Sequence, residues 1–284
     1  MKKYKALQIN PSHASEGAFR SVAVRARQML VGSVVAAVSI ATVTGGAPSA
    51  SAAVKLTKAK PAAKGSSKIT VVEANVCPKG VKTKVAVQKT GKFGDVIKVW
   101  EATDESVAPK WTFGVGDESH TRLVFSVIGE QAGWLQVNLP VKPNGSVGWV
   151  KADEVSTYIT PYYVLIELGK RRLTACNAGV PIARESIGIG KVGTETPTGT
   201  FYLLDLLKNP KKSVAGYGPF AFGFSGFSEN SAVSKIFDGG RIGMHGSSTP
   251  GLGTGISSGC IRMTNAAITK LAKTLFLGTP VQIV

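Results

Sequence analysis

The sequence predicts a mainly β protein in which two β domains follow a leader segment and a linker. Three observations support this prediction. Short alternating or β-branched runs recur between turn residues from about Ile69 onward. Glycine is frequent, with 33 residues in 284. Apolar residues repeat at helical spacing in one appreciable segment, between residues 264 and 275, so a single main helix is expected.

Residues 1–52 are predicted to be a signal peptide. Arg20, Arg25 and Arg27 precede an apolar run over residues 29–43, and Ala50-Ser-Ala52 offers a cleavage site. The apolar run is shorter than the ~20 residues that a membrane span needs. An uncleaved anchor is the alternative. We therefore expect a secreted, extracytoplasmic protein with no stable membrane span after cleavage.

The chain is strongly basic, with a formal charge of +17 at pH 7. Residues 1–52 hold six Lys or Arg and one acidic residue, so 28 basic and 16 acidic side chains, a charge of +12, remain after cleavage. A basic surface attracts polyanions. No helix-turn-helix, zinc-finger or aromatic RNA-binding motif is present. For an exported protein, anionic polymers of the cell wall fit better than nucleic acid as the polyanionic partners.

Residues 53–68 combine Lys with Ala, Pro, Gly and Ser, which predicts a flexible linker. Residues 69–157 are predicted to form a small β module. Its strands are expected at 84–88, 95–100, 123–127, 134–137 and 147–150, with a hairpin turn at 143–146. The Gly-Trp-Leu-Gln-Val, Pro-Asn-Gly and Gly-Trp-Val-Lys segments of this region resemble a bacterial SH3-type module, which implies an SH3-like β barrel. Its four tryptophans are expected in the core rather than on a ligand platform: Trp100, Trp111, Trp134 and Trp149.

A short connector at 158–161 should lead into the second domain, residues 158–284. Residues 163–168 and 171–176 are expected to form a hairpin, and 182–189 and 200–206 to continue an antiparallel sheet. Thr264 is a candidate N-cap for the main helix through Leu275, because apolar residues recur there at i, i+3, i+4 and i+7. A final strand is expected at 281–284.

The stretch from Arg241 to Met263 carries the candidate chemistry. His245 and Cys260 lie 15 residues apart, separated mostly by Gly, Ser and Thr, which excludes a helix. A strand ending near His245, a loop and a tight turn before Cys260 are expected. A nucleophilic thiol needs a nearby base and backbone donors for the developing oxyanion. Gly259 gives the freedom for a sharp turn beside Cys260.

This stretch resembles the L,D-transpeptidase catalytic domain, the YkuD family. The resemblance rests on His245-Gly, then a short loop, then Ser257-Ser-Gly-Cys-Ile-Arg262, and on the segments 193–199 and 217–226, and it covers roughly residues 161–284. It implies a YkuD-type β domain. The family usually has His immediately before Gly-Cys, whereas this chain has Ser258. The base role therefore falls wholly on His245.

The resemblance implies the role of each residue. Cys260 is the expected nucleophile and His245 the base, with the N–H groups of Gly259 and Cys260 as the oxyanion hole. Arg262 is the candidate clamp for a substrate carboxylate. Ser247, Asp238 or a backbone carbonyl is expected to orient His245. The other expected substrate contacts are Met244, Gly246, Tyr217, Ser257 and Ser258.

The implied reaction joins peptidoglycan stem peptides. Cys260 attacks the carbonyl after the third residue of a tetrapeptide stem, and an amine of another stem resolves the thioester. Carbapenems inactivate this family. The alternatives are an L,D-carboxypeptidase, in which water resolves the same intermediate, and a non-catalytic wall-binding protein. No cofactor is expected, and no metal site, because the three Cys and three His lack metal-ligand spacing.

Two further expectations concern the second domain. The Gly-rich aromatic segment from Tyr217 to Phe227 is expected to be a mobile flap. Export favours oxidised cysteines. If Cys260 stays reduced, Cys77 and Cys176 remain as a pair, either as a disulfide between the domains or as two free thiols.

Overall fold

A computed structural model of the chain describes residues 76–90, 95–114, 122–208, 216–236 and 238–284, which fall within a single unit. The predicted signal peptide and linker lie outside these residues. The described residues form seventeen β-strands and two α-helices, which confirms the mainly β class. None of the helices in these ranges is long and apolar enough to cross a bilayer.

The first part of the structure is antiparallel. Five of its strands form a sheet in the order β6-β5-β4-β1-β7, and β2 pairs with β3 as a separate hairpin. The strands are β1 (Thr83–Gln88), β2 (Val96–Val99), β3 (Trp111–Gly114), β4 (Val124–Gln131), β5 (Trp134–Asn138), β6 (Val147–Lys151) and β7 (Val155–Thr160). The five predicted strands and the turn at 143–146 are confirmed, whereas β3 and β7 were not predicted.

The connector predicted at 158–161 is wrong, because β7 occupies most of it. All six residues of β7 pair with β1. Thr160 is fully buried, and the Tyr158 hydroxyl donates a hydrogen bond to the Leu277 carbonyl. The sequence Val-Ser-Thr-Tyr-Ile-Thr is rich in strand-forming residues. Its strand forms because β1 offers an unpaired edge, which the sequence of β7 does not reveal.

β1 is buried on both faces. Ala86 packs into one core with Phe125, whereas Val85 and Val87 belong to the core of the second sheet. A disulfide joins Cys77 to Cys176 with a Cα–Cα distance of 5.7 Å, so the disulfide alternative for these two cysteines is confirmed. The two parts of the chain are therefore joined by shared apolar packing and by a covalent bond.

The tryptophans of the first part divide into two groups. Trp100 is buried, as predicted, and its ring centroid lies 5.2 Å from that of Trp134. Trp111, Trp134 and Trp149 are half-buried rather than enclosed in the core. The ammonium group of Lys110 lies over the Trp111 ring, 4.7 Å from its centroid.

The second part is built on an eight-stranded mixed sheet in the order β10-β9-β8-β17-β12-β13-β14-β16. Its pairs are antiparallel except β8–β17 and β14–β16. β11 and β15 form a separate parallel pair. The strands are β8 (Tyr162–Glu167), β9 (Arg172–Asn177), β10 (Val180–Ser186), β11 (Ile189–Gly190), β12 (Gly199–Lys208), β13 (Phe220–Phe227), β14 (Arg241–Ser247), β15 (Gly255–Ser257), β16 (Ile261–Thr264) and β17 (Pro280–Ile283).

Two helices accompany this sheet, α1 (Ser231–Ile236) and α2 (Asn265–Thr274). The Thr264 hydroxyl accepts a hydrogen bond from the Ala267 N–H at 3.1 Å, which confirms the predicted N-cap. Ala267, Ile268 and Leu271 are buried against the sheet. The helix was predictable because its cap and its apolar stripe are local features.

The predicted mobile flap is wrong for most of its length. Residues 220–227 form β13, which pairs with β12 on one side and β14 on the other, and seven of its eight residues are buried. Its glycines serve close packing instead of mobility: a Cβ on Gly223 would collide with Asp205, and one on Gly226 with the Phe201 ring. This strand holds β14 in place.

Candidate active site

The parallel pairing of β14 with β16 brings the predicted catalytic residues together. His245 pairs with Arg262, and paired residues project from the same face of a sheet. Cys260 precedes Arg262 by two residues, so the alternation of side chains places its thiol on that same face. The Gly243 N–H in β14 donates a hydrogen bond to the Cys260 sulfur. Two segments about 15 residues apart thereby form one site.

His245 is held as a neutral base. Its Nδ1 lies 2.9 Å from the Gly246 carbonyl oxygen, which only accepts hydrogen bonds, so Nδ1 carries the proton and Nε2 keeps its lone pair. The side chain is 4% exposed. Burial lowers the His245 pKa to about 4; the positive charge of Arg262 acts in the same direction and the Gly246 hydrogen bond opposes it.

The His245 ring is thus oriented by the backbone carbonyl of Gly246. A backbone carbonyl was one of the three alternatives that the sequence left open. The Ser247 hydroxyl, another of the three, accepts a hydrogen bond from the Thr249 N–H at 3.1 Å. The Asp238 side chain lies outside the described residues. Position 246 requires glycine, because a Cβ there would lie 2.6 Å from Asn265 Oδ1. The Gly246 carbonyl also accepts a hydrogen bond from the Gly218 N–H at 2.7 Å.

Cys260 is a free cysteine, and the residue as a whole is half-buried. Burial raises the pKa of this thiol, while the Gly243 hydrogen bond and the Arg262 charge act to lower it. With the pKa of His245 depressed, the two groups rest as a neutral thiol and a neutral imidazole near pH 7. The site therefore favours proton transfer during attack over a preformed thiolate–imidazolium pair.

Tyr217 lies on one side of this pair. Its ring centroid is 4.3 Å from that of His245, with the ring planes at 63°. Burial, reinforced by the nearby Cys260, raises the pKa of Tyr217 to about 12, and Arg262 opposes that rise. The phenol therefore keeps its proton at neutral pH.

Arg262 is fixed through its backbone. Its N–H and carbonyl exchange two hydrogen bonds with Gly188, each 2.8 Å long. Its side-chain Nε is buried, with no hydrogen-bond partner among the described residues. A buried N–H donor without a partner is costly, and a bound ligand would satisfy it.

A hydrogen-bonded turn shapes the approach to Cys260. The Ser257 hydroxyl donates to the Cys260 carbonyl at 2.6 Å and accepts from the Gly259 N–H at 3.1 Å. Gly259 has φ +109°, which a residue with a side chain rarely adopts. The Gly259 N–H is therefore engaged within the turn, which leaves the Cys260 N–H as the candidate oxyanion donor of the two expected.

Two threonines that the sequence analysis did not single out hold this turn. The Thr196 hydroxyl donates to the Gly259 carbonyl at 2.8 Å, and the Thr194 hydroxyl donates to the Ser257 carbonyl at 3.1 Å. Both belong to the segment 193–199, which was noted only for its family resemblance. The sequence did carry one indication of this role. Two threonines lie two residues apart in a segment too rich in Gly, Thr and Pro to form a helix.

The remaining predicted substrate contacts differ in their placement. Met244 is fully buried in the core, on the sheet face opposite His245, which leaves no surface for a substrate contact. Ser257 is buried and engaged within the turn. Ser258 is half-buried next to Gly259 and Cys260. Among the described residues, no group of three or more His, Cys, Asp or Glu is arranged to hold a metal ion.

Comparison with known proteins agrees with this geometry. The family model of the YkuD L,D-transpeptidase catalytic domain matches residues 161–283. The chain is 32% identical to the YkuD protein of Bacillus subtilis (strain 168) over 127 residues, which are 44% of this chain and 68% of that protein. The chain belongs to the YkuD family of L,D-transpeptidases.

Two further comparisons give weaker matches. The YkuD protein of Bacillus licheniformis is 30% identical over 124 residues, 43% of this chain and 66% of that protein. An L,D-transpeptidase structure from Enterococcus faecium overlaps with 44% of this chain and 50% of its own, at 20% identity and a TM-score of 0.35. The chain therefore spans about half of that enzyme, and the superposition adds nothing to the family assignment.

Proposed function

We propose that the protein is an exported cysteine L,D-transpeptidase that joins peptidoglycan stem peptides through a thioester on Cys260. Two observations carry the proposal. The register of β14 and β16 pairs His245 with Arg262, two residues after Cys260, and the Gly243 N–H of β14 bonds the Cys260 sulfur. The Gly246 carbonyl holds the His245 Nδ1 proton. Nε2 is then free to accept the thiol proton. The family membership supports the same reaction class.

Acylation begins with a neutral pair. As the Cys260 sulfur attacks the carbonyl after the third stem residue, His245 Nε2 takes the thiol proton. The Cys260 N–H donates to the oxygen that becomes negative in the tetrahedral intermediate. When the intermediate collapses, the C–N bond breaks, Nε2 returns the proton to the leaving amine, and the terminal D-Ala departs. Cys260 is left as a thioester.

Deacylation reverses the proton path. A side-chain amine of a neighbouring stem attacks the thioester carbonyl and gives its proton to His245 Nε2. The C–S bond breaks, the sulfur recovers a proton from the imidazole, and a new amide bond joins the two stems. Water in place of the amine would give the L,D-carboxypeptidase reaction.

Arg262 is proposed to bind a carboxylate of the donor stem. Its Nε is buried and has no hydrogen-bond partner among the described residues, and guanidinium–carboxylate pairs are strong and directional. Its charge also acts to lower the pKa of the nearby Cys260 thiol. Arg262 would thus bind the substrate and make the thiol easier to deprotonate.

The proposed domain organisation is a signal peptide (1–52), a linker (53–68), an SH3-like module (69–157) and the catalytic domain (158–284). The module is proposed to hold the enzyme on the cell wall, with anionic wall polymers as partners. The positive charge of the chain supports this attraction. Because β1 contributes Val85 and Val87 to the core of the second sheet, the module also supports the catalytic domain physically.

The test is product analysis with the wild-type protein and Cys260→Ala. Both are incubated with tetrapeptide muropeptides and an amine acceptor and followed by mass spectrometry. The wild type should form a covalent adduct that maps to Cys260 and release cross-linked dimers, while Cys260→Ala should fold and give neither. Tripeptide without dimers would assign the carboxypeptidase reaction. A folded wild type with neither adduct nor product would indicate a non-catalytic wall-binding protein.

A further inference from the structure

The peptide unit between Gly259 and Cys260 carries the N–H group that is proposed to bind the oxyanion. Its carbonyl belongs to Gly259, and its N–H belongs to Cys260. In a planar trans peptide these two groups point in opposite directions. A side chain that fixes the direction of the Gly259 carbonyl therefore also fixes the direction of the Cys260 N–H.

Thr196 is that side chain. Its hydroxyl oxygen accepts the Gly190 N–H at 3.0 Å and its proton is donated to the Gly259 carbonyl at 2.8 Å. Thr196 is 4% exposed, so water does not compete readily for either bond. A chain of hydrogen bonds then runs from the Gly190 N–H through the Thr196 hydroxyl to the Gly259 carbonyl. Such a chain polarises its members in one direction.

Gly190 is fitted to this contact. A Cβ at Gly190 would collide with the backbone of Thr194 and Thr196. The backbone of β11 can therefore approach the threonine segment closely only because residue 190 has no side chain. The close approach keeps the acceptor side of the Thr196 hydroxyl occupied and commits its proton to Gly259.

The neighbouring amide cannot replace the Cys260 N–H while the turn is intact. The Gly259 N–H donates to the Ser257 hydroxyl at 3.1 Å. The oxyanion therefore depends on the Cys260 N–H within this turn, and the orientation of that N–H depends on Thr196.

We propose that Thr196 is a positioning residue that orients and polarises the Cys260 N–H for the oxyanion of acyl transfer. This role rests on the proposed function, because it concerns the same acylation step. The Thr196 hydroxyl bonds the Gly190 N–H and the Gly259 carbonyl, so Thr196 acts on the reacting atoms through the turn. Its hydroxyl should matter when negative charge develops on a carbonyl oxygen and matter little when the thiol reacts at a saturated carbon.

The test compares two reactions of Cys260. A carbapenem acylates the thiol through a tetrahedral oxyanion: the C–S bond forms, the lactam C–N bond breaks and the nitrogen takes a proton. Iodoacetamide alkylates the thiol by displacing iodide and forms no oxyanion. The ratio of the acylation rate to the alkylation rate therefore isolates the oxyanion contribution from the accessibility of the thiol.

Thr196→Val removes the hydroxyl at nearly constant volume, and Thr196→Ser retains it. Removing a whole oxyanion donor costs about 10²–10³-fold in rate. Misorienting one should cost a part of this, so Thr196→Val should lower the ratio by about tenfold or more. Thr196→Ser should keep the ratio within about threefold of the wild type. Thr194→Val, which frees the Ser257 carbonyl, should change both rates by the same factor.

The outcomes are distinct. An unchanged ratio in a folded Thr196→Val, or an equal fall in both rates, would overturn the role, because Thr196 would then only hold the turn. Thr196→Ala removes the same hydroxyl without the second methyl and decides the matter if Thr196→Val does not fold. A wild type that is alkylated but never acylated would refute the proposed function itself, and this role with it.

Discussion

The neutral resting state of Cys260 and His245 predicts an unusual pH dependence of acylation. The base must be unprotonated to accept the thiol proton, so the acylation rate should follow the neutral fraction of His245. Burial lowers the pKa of this imidazole to about 4. We therefore expect kcat/KM, or the second-order rate of carbapenem acylation, to remain high well below pH 6.

The size of the effect follows from the two pKa values. With a pKa of about 4, roughly nine-tenths of the imidazole is neutral at pH 5. With an ordinary histidine pKa of ~6.5, only about 3% is neutral at pH 5. Between pH 7 and pH 5 the acylation rate should thus fall by less than about 1.5-fold, whereas an ordinary histidine would give a fall of about 25-fold.

The assay is stopped-flow acylation of the wild type from pH 4 to 8 at constant ionic strength, with circular dichroism at each pH to verify the fold. His245→Gln is the matched control, because it removes the base and leaves the thiol. Its residual rate should track the thiolate and fall about tenfold per pH unit below the raised thiol pKa. In Arg262→Gln the fall in acylation rate at acidic pH should begin at a higher pH than in the wild type, because the positive charge of Arg262 helps to lower the His245 pKa.

A fall in the wild-type acylation rate with a midpoint near pH 6.5 would refute the predicted low pKa of His245. It would mean that the imidazole is as well solvated as in an exposed histidine, in conflict with its 4% exposure. An Arg262→Gln profile that coincides with the wild type would refute the electrostatic part alone.

Two further predictions concern the joint between the two parts of the chain. Replacing both Cys77 and Cys176 with Ala opens a loop with a sequence separation of 99 residues. This should lower the free energy of unfolding by up to about 4.7 kcal/mol. In denaturant without reductant the wild type should titrate one thiol, and a count of three would contradict the bridge. The Asn144 side-chain amide donates to the Phe227 carbonyl at 2.8 Å and accepts from the Phe227 N–H at 2.9 Å. Asn144→Ala should therefore lower the free energy of unfolding in urea by about 1–3 kcal/mol, and Asn144→Asp, which keeps the acceptor, should lower it by less. An unchanged free energy of unfolding would show that water replaces both bonds.

Local sequence determined the elements that carry their own signals. The cap at Thr264 and the apolar stripe after it predicted α2, and alternating runs around tight turns predicted most of the strands. The spacing of His245 and Cys260 in a segment of small residues predicted a strand, a loop and a turn. These features were readable because capping, side-chain alternation and glycine freedom act over a few residues. The SH3-like fold of residues 69–157 stays a prediction.

Tertiary structure decided what depends on partners distant in the chain. The Gly-rich aromatic segment became β13 because β12 and β14 pair with both of its edges, and residues 155–160 became β7 because β1 was available. Met244 faces the core because the core packs on the face of β14 opposite His245. Thr196 and Gly259 are 63 residues apart in sequence. Their hydrogen bond exists only once the sheet has folded, because no local pattern encodes which distant carbonyl a buried hydroxyl will meet.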